Sequence, residues 1–185
     1  MPRPPFPHMS PHDVPLFAAF VLSEEGKKYH TWQFDVRVGP PTDPGPGYSP
    51  QARKDADLLS RVRIDAVGYD GLGPTLFEVK PDARLSAFGQ ILAYKFFFCR
   101  DRGGSCRAAI ITDTCTPYCN LLYPHYDVGL HLVQPANQGD LLRAIKHIYP
   151  RSPLRWDDLS YLYSEADPND ADIDEEEFKD MHELS

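Results

Sequence analysis

Residues 63–98 read RIDAVGYDGLGPTLFEVKPDARLSAFGQILAYKFFF, and the fold turns on how their side chains divide between two faces. Two strand-like runs, 58–69 and 75–80, flank the turn sequence DGLGP, and an apolar helix is predicted from Leu85 to Cys99. Strand side chains alternate, so Glu78 and Lys80 share one face and Phe77 and Val79 the other. With a four-residue loop, Gly71 to Pro74, Asp70 pairs with Thr75, and Asp65 lies opposite Lys80 and diagonal to Glu78. That register gathers Asp65, Glu78 and Lys80 on a polar face and gives Ala66, Gly68, Phe77 and Val79 to the core. A slip of one residue would part Asp65 from Glu78 unless a bulge restored the match.

Two carboxylates in a half-buried site raise each other's pKa and do not both stay ionised without a counter-ion. A hard divalent cation removes that conflict, because magnesium takes oxygen ligands and is held by one or two carboxylates plus substrate phosphate. A lysine beside the pair can orient or deprotonate an attacking water and stabilise charge developing on a phosphate. Together these are the means to hydrolyse a phosphodiester. Taken alone, an acid-x-Lys on a strand is commonly a surface salt bridge; the hairpin spacing, the face parity and a glutamine-bearing helix are further conditions that a salt bridge does not require.

RID at 63–65, the glycine-bearing turn and EVK at 78–80 resemble the signature of the PD-(D/E)XK nuclease superfamily, and QILAY at 90–94 is similar to the Gln-x-x-x-Tyr motif of its RecB-like branch. Position 64 is Ile where the superfamily's name has proline. The resemblance implies a restriction-endonuclease-like core and a divalent-metal-dependent deoxyribonuclease. It implies Mg²⁺ or Mn²⁺ on Asp65 and Glu78, with the Val79 carbonyl as a further ligand. It makes Lys80 the partner of the attacking water, Gln90 a positioning group, and Tyr94 a brace or DNA contact. The superfamily often adds an acid from its first helix, for which Glu24, Glu25 and Asp35 are candidates. Arg84 is placed to meet a phosphate, and Lys95 is a second candidate for that role. The other reading is a nuclease-fold module that no longer cuts and serves as a structural or DNA-binding subunit.

Outside this stretch, residues 1–15 are proline-rich and read as irregular. Tyr29 to Val38 alternates as a strand with Trp32, Phe34, Val36 and Val38 on one face, while Leu16 to Leu22 suits a strand or a short helix. GPPTDPGPGYSPQ at 39–51 reads as a loop. After the helix come two buried strands, CRAAIITDT and YDVGLHLVQP, and a final helix in QGDLLRAIKHIYP. This order predicts an α/β or α+β domain over 16–163, with a mixed central sheet flanked by helices.

The net charge of −8 is unevenly spread: residues 164–185 hold ten acids against Lys179, a net of −9, which leaves +1 for residues 1–163. Such a tail reads as a solvated segment; it could also shield a nucleic-acid groove or dock a protein partner. Its spacing lacks the glycine and terminal glutamate of a calcium loop. Cys99, Cys106, Cys115 and Cys119 lack the paired spacing of a zinc site and all follow the nuclease-like motifs, so they read as reduced thiols. None of the seven histidines is assigned to catalysis; His30, His125 and His131 have surroundings that suggest burial. Neither an export signal nor a membrane span is read from the sequence, which predicts a soluble, cytoplasmic protein. A small nuclease with an acidic tail suits a phage or mobile element, which would place it in the host cytoplasm.

Overall fold

Along the strand Gly73–Val79 every residue from Thr75 on is buried, and the side chains divide between two cores: Leu76 packs into one, Phe77 and Val79 into another. A computed structural model describes residues 6, 7, 9–151, 159 and 162. In chain order its elements are α1 (Asp13–Leu22), β1 (Thr31–Val38), α2 (Pro50–Ser60), β2 (Val62–Asp70), β3 (Gly73–Val79), β4 (Asp82–Ala83), α3 (Leu85–Arg102), β5 (Arg107–Thr112), β6 (Thr114–Cys115), α4 (Pro117–His125), β7 (Val128–Leu132) and α5 (Gln138–Ile148). The main sheet has the order β1-β2-β3-β5-β7, antiparallel from β1 to β3 and parallel from β3 to β7. A mixed central sheet flanked by helices is therefore what the chain forms.

The parallel strands need helical crossovers, which α3 and α4 supply. Their side of the sheet holds Leu76, Ala108, Ile110 and Val128 with Ile91, Phe98 and Tyr123. On the opposite side, α1 and α5 cover Phe77, Val79, Ala109 and Ile111. Being covered on both faces, β5 carries the unbroken apolar run AAII. Among the described residues no helix is long and apolar enough to cross a membrane.

The hairpin differs from expectation in register but not in parity. Observed pairs run from Asp70↔Gly73 to Ala66↔Phe77, so the turn is only Gly71-Leu72. Leu72 donates its N–H to Oδ1 of Asp70 at 2.8 Å, and Gly73 takes φ +105. Pro74 sits in the ladder opposite Tyr69, at a pair where β2 needs no donor and before β5 begins its pairing at Thr75. A proline thus costs no ladder bond there. The shift from the expected pairing is two residues on one strand, and an even shift leaves Ala66, Phe77 and Val79 together on one face as predicted.

Other elements depart more. The stretch 50–60, read as loop end and strand start, is α2, opened by Ser49 accepting the Ala52 N–H at 3.1 Å and by Pro50 in the first turn. Leu16–Leu22 is helical as part of α1, and α4 joins two stretches with no predicted element between them. In β1, Trp32 and Phe34 pack on the α1 side but Val36 and Val38 on the α3 side. The switch falls at Asp35, whose φ of +52 breaks the alternation. The helix α3 is less buried than its composition suggested: Ala87, Ile91, Tyr94 and Phe98 are inside, and Phe96 is 64% exposed. His30 and His125 are exposed, while His131 is half-buried against Phe20. All four cysteines are free. The acidic tail lies outside the described residues.

Candidate active site

The β2–β3 ladder runs only as far as Ala66↔Phe77, and Asp65 and Glu78 are the next positions in that register. There the Val79 N–H donates to Oδ2 of Asp65 at 2.9 Å, a side chain standing in for a strand backbone. The opening forms one end of a cavity of about 630 Å³, lined by Asp65 from β2, Glu78 of β3, Lys80 just beyond it, and Gln90 and Tyr94 of α3. Gln90 and Tyr94 are one helical turn apart and share the helix face that looks into the cavity.

Glu78 is only 2% exposed, with Nζ of Lys80 3.9 Å from its Oε1. Burial, then the nearby charge of Asp65, holds the Glu78 carboxyl well above the usual range. Burial likewise pushes Asp65 up to about 6, against the pull of the Val79 N–H, and the charge of Asp13 adds to the rise. The two carboxyls and the Tyr94 hydroxyl stand close enough in the cavity to act on one another's protonation. Tyr94 is in turn held above its ordinary pKa, first by burial and then by those two acids. Glu78 therefore carries a protonation conflict that a cation would relieve.

The donor set fits a hard divalent cation. Oε2 of Glu78 is buried with no hydrogen-bond partner among the described residues, and the cavity wall holds Asp13, Asp35, Asp65 and Glu78 against two bases, Arg63 and Lys80. With all four acids ionised, that excess of two negative charges would repel a phosphate unless a cation offset it. Among the described residues no three His, Cys, Asp or Glu side chains converge as a metal cage. Two carboxylates, a backbone carbonyl and water would make up the set, which is the coordination magnesium accepts.

The structure brings Asp65, Glu78, Lys80, Gln90 and Tyr94 to one cavity, and Val79 to its edge. It does not bring Arg84 or Lys95 there. Arg84 precedes α3, is exposed and pairs with Asp82. Lys95 follows Tyr94 by one residue, about 100° around the helix, and pairs with Asp127 at 3.2 Å. Of the upstream acids, Glu24 and Glu25 pair with Lys27 and Lys28 on the surface, whereas Asp35 lines the cavity.

Asp13 was missed. It opens α1, is 8% exposed and lines the cavity. Ser10 donates its N–H to Oδ2 of Asp13 at 3.0 Å, and Oγ of Ser10 accepts the Asp13 N–H at 3.2 Å. That reciprocal pair is a capping box, written in the sequence as SPHD ahead of an apolar run. The local motif announced a helix start; nothing local announced that this start would face β2.

No protein-family model and no curated protein matches the chain. Among solved structures it is similar to a repair endonuclease from Pyrococcus abyssi, with 16% identity, a TM-score of 0.44, and coverage of 69% of this chain and 48% of that one. It is also similar to the protein of an EndoMS–dsDNA complex, with 15% identity, a TM-score of 0.42, and coverage of 65% and 44%. The chain thus spans about half the length of each. Scores below 0.5 do not establish a shared fold.

Proposed function

We propose that this chain is a divalent-metal-dependent nuclease that hydrolyses DNA phosphodiester bonds, a member of the RecB-like branch of the PD-(D/E)XK superfamily. The observation that carries the proposal is the meeting of Asp65, Glu78 and Lys80 in one cavity, with Oε2 of Glu78 buried and unpartnered among the described residues. In this reading Asp65 and Glu78 hold Mg²⁺ or Mn²⁺ with the Val79 carbonyl, and the ion when bound supplies charge neutralisation at the scissile phosphate. Lys80 orients the attacking water, and its ammonium, 3.9 Å from buried Glu78, stabilises charge developing on the scissile phosphate. Gln90 is exposed on the α3 side and positions the water or the scissile strand through its amide. Tyr94 lines the cavity beside Glu78 and braces its carboxylate. A salt bridge on a strand face would explain the Lys80–Glu78 pair, but it would not call for a second acid, Asp65, in the same cavity.

The test is cleavage of plasmid and linear DNA with Mn²⁺, Mg²⁺ or EDTA, comparing wild type with Lys80→Ala. Cutting that needs the metal and falls about 10²- to 10⁴-fold in the variant is expected. Equal cutting by the variant overturns the site. The net charge of +1 over residues 1–163 favours a second reading, a DNA-binding module that no longer cuts; DNA binding by the wild type without cleavage under either metal would select it.

A further inference from the structure

Asp35 reaches two arginines: its Oδ2 lies 3.8 Å from Nη2 of Arg37, and its Oδ1 lies 3.9 Å from Nε of Arg63. It does so from a left-handed backbone, φ +52, which few residues with a side chain hold and which aspartate tolerates better than most. Such conformations persist where the surroundings impose them, often at functional sites. Here the consequence is visible in the packing, since the switch of faces between Phe34 and Val36 occurs at this residue. Asp35 lines the same cavity as Asp65, Glu78 and Lys80.

The two arginines are used differently. Arg37 turns to the Leu58 carbonyl and does not line the cavity. Arg63 does line it, with its side chain 46% exposed against 23% for Asp35, so the guanidinium stands at the mouth with the carboxylate behind it. Its field reaches Tyr94, on the α3 wall. Ion pairs of this length at a half-exposed rim stabilise little, but they fix direction.

We propose that Arg63, aimed by Asp35, is the phosphate-binding residue of this cavity, taking a backbone phosphate of the nucleic-acid strand next to the one cleaved. The inference rests on the nuclease reading. With four acids and two bases in the wall, Arg63 among them, a divalent cation at Asp65 and Glu78 brings the sum to zero, so a polyanion is drawn by where the positive charges stand and not by their total. Arg63 is such a charge at the more exposed side of the wall, and a planar guanidinium matches two phosphate oxygens. Lys80 stands beside the acids, 3.9 Å from Glu78. Arg63 on β2 and Gln90 on α3 then mark the two walls that the strand passes. Arg63 takes the role that neither Arg84 nor Lys95 is placed to fill.

Binding of a fluorescein-labelled DNA duplex, and of its single strand, to the full chain with Ca²⁺ in place of Mg²⁺ tests this across a salt titration. Arg63→Ala is expected to weaken binding about tenfold and to lower the slope of log K against log salt by about one. Arg63→Lys is expected to restore the slope but not the full affinity. Asp35→Asn keeps a residue that tolerates the left-handed backbone and removes the charge; in that background the Arg63→Ala loss is expected to shrink. Wild-type affinity and slope in Arg63→Ala overturn this inference alone, while the nuclease reading stands or falls with Lys80→Ala. Failure of the wild type to bind either DNA overturns the nuclease reading and this inference with it.

Discussion

Asp65 accepts the backbone N–H of Val79 at 2.9 Å, so the carboxylate at the open end of the β2–β3 ladder is also a structural acceptor. Asparagine keeps that acceptor and removes the charge facing Glu78; alanine leaves the N–H of fully buried Val79 without its partner. Asp65→Ala is therefore expected to lose about 1–2 kcal/mol relative to Asp65→Asn, read as the difference between their denaturant midpoints. Equal stability of the two variants would show that the bond contributes nothing.

A cation held by Asp65 and Glu78 stabilises only the folded state. Mn²⁺ at a hundred times its Kd is expected to raise wild-type stability by about 2.7 kcal/mol, and Glu78→Gln is expected to remove most of that rise. Thermal melts in Mn²⁺ and in EDTA measure it without reference to cleavage. An equal rise in the variant would place the ion elsewhere.

Tyr94→Phe keeps the ring in the α3 core and deletes the hydroxyl that acts on Glu78. The expected result is a stability change of about 1 kcal/mol or less and a loss of cleavage on the order of tenfold. Unchanged cleavage would remove Tyr94 from the site's support.

The two turn glycines predict opposite outcomes. Gly73 has φ +105, where a side chain is strained, so Gly73→Ala is expected to cost about 1–2 kcal/mol. Gly71 has open space around its Cβ position and no positive φ, so Gly71→Ala is expected to fall within about 0.5 kcal/mol of wild type. Similar losses at both positions would contradict the two-residue turn.

His131 packs its ring 4.6 Å from that of Phe20, and burial depresses its pKa below 6.5, against the opposing charge of Glu25. The unfolded chain therefore binds the proton more readily, so this group's contribution is complete above about pH 6.5 and is lost as pH falls towards the depressed value. Acidification from pH 7 to 5 is expected to lower the Tm of wild type more than that of His131→Leu. Taking the difference between the two proteins cancels the opposite contribution of the raised carboxyls, and parallel Tm profiles would show that His131 is not desolvated.

Side-chain parity belongs to the chain itself. Because a strand repeats every two residues, Asp65, Glu78 and Lys80 share a face in the predicted register and in the observed one, and the helix carrying Gln90 and Tyr94 follows from its own pattern. The apolar run AAII marked a strand buried on both faces in the same local way.

Long-range packing decided the rest. Whether the turn has two residues or four depends on where β5 begins to pair, because that is what lets Pro74 stand in the ladder. The break in β1 at Asp35 reflects strands and helices meeting from both sides, and no periodicity within β1 predicts it. Arg84 and Lys95 had the right charge in the right neighbourhood of sequence, but Asp82 and Asp127 engage them outside the cavity. Asp13 and Arg63 reach the cavity because α1 packs against α5 over one face of the sheet and β2 parts from β3 at Asp65. Local chemistry determined which residues could serve a site, and the tertiary contacts determined which of them meet, since a side chain's face is set by its neighbours in sequence and its company by elements far from it.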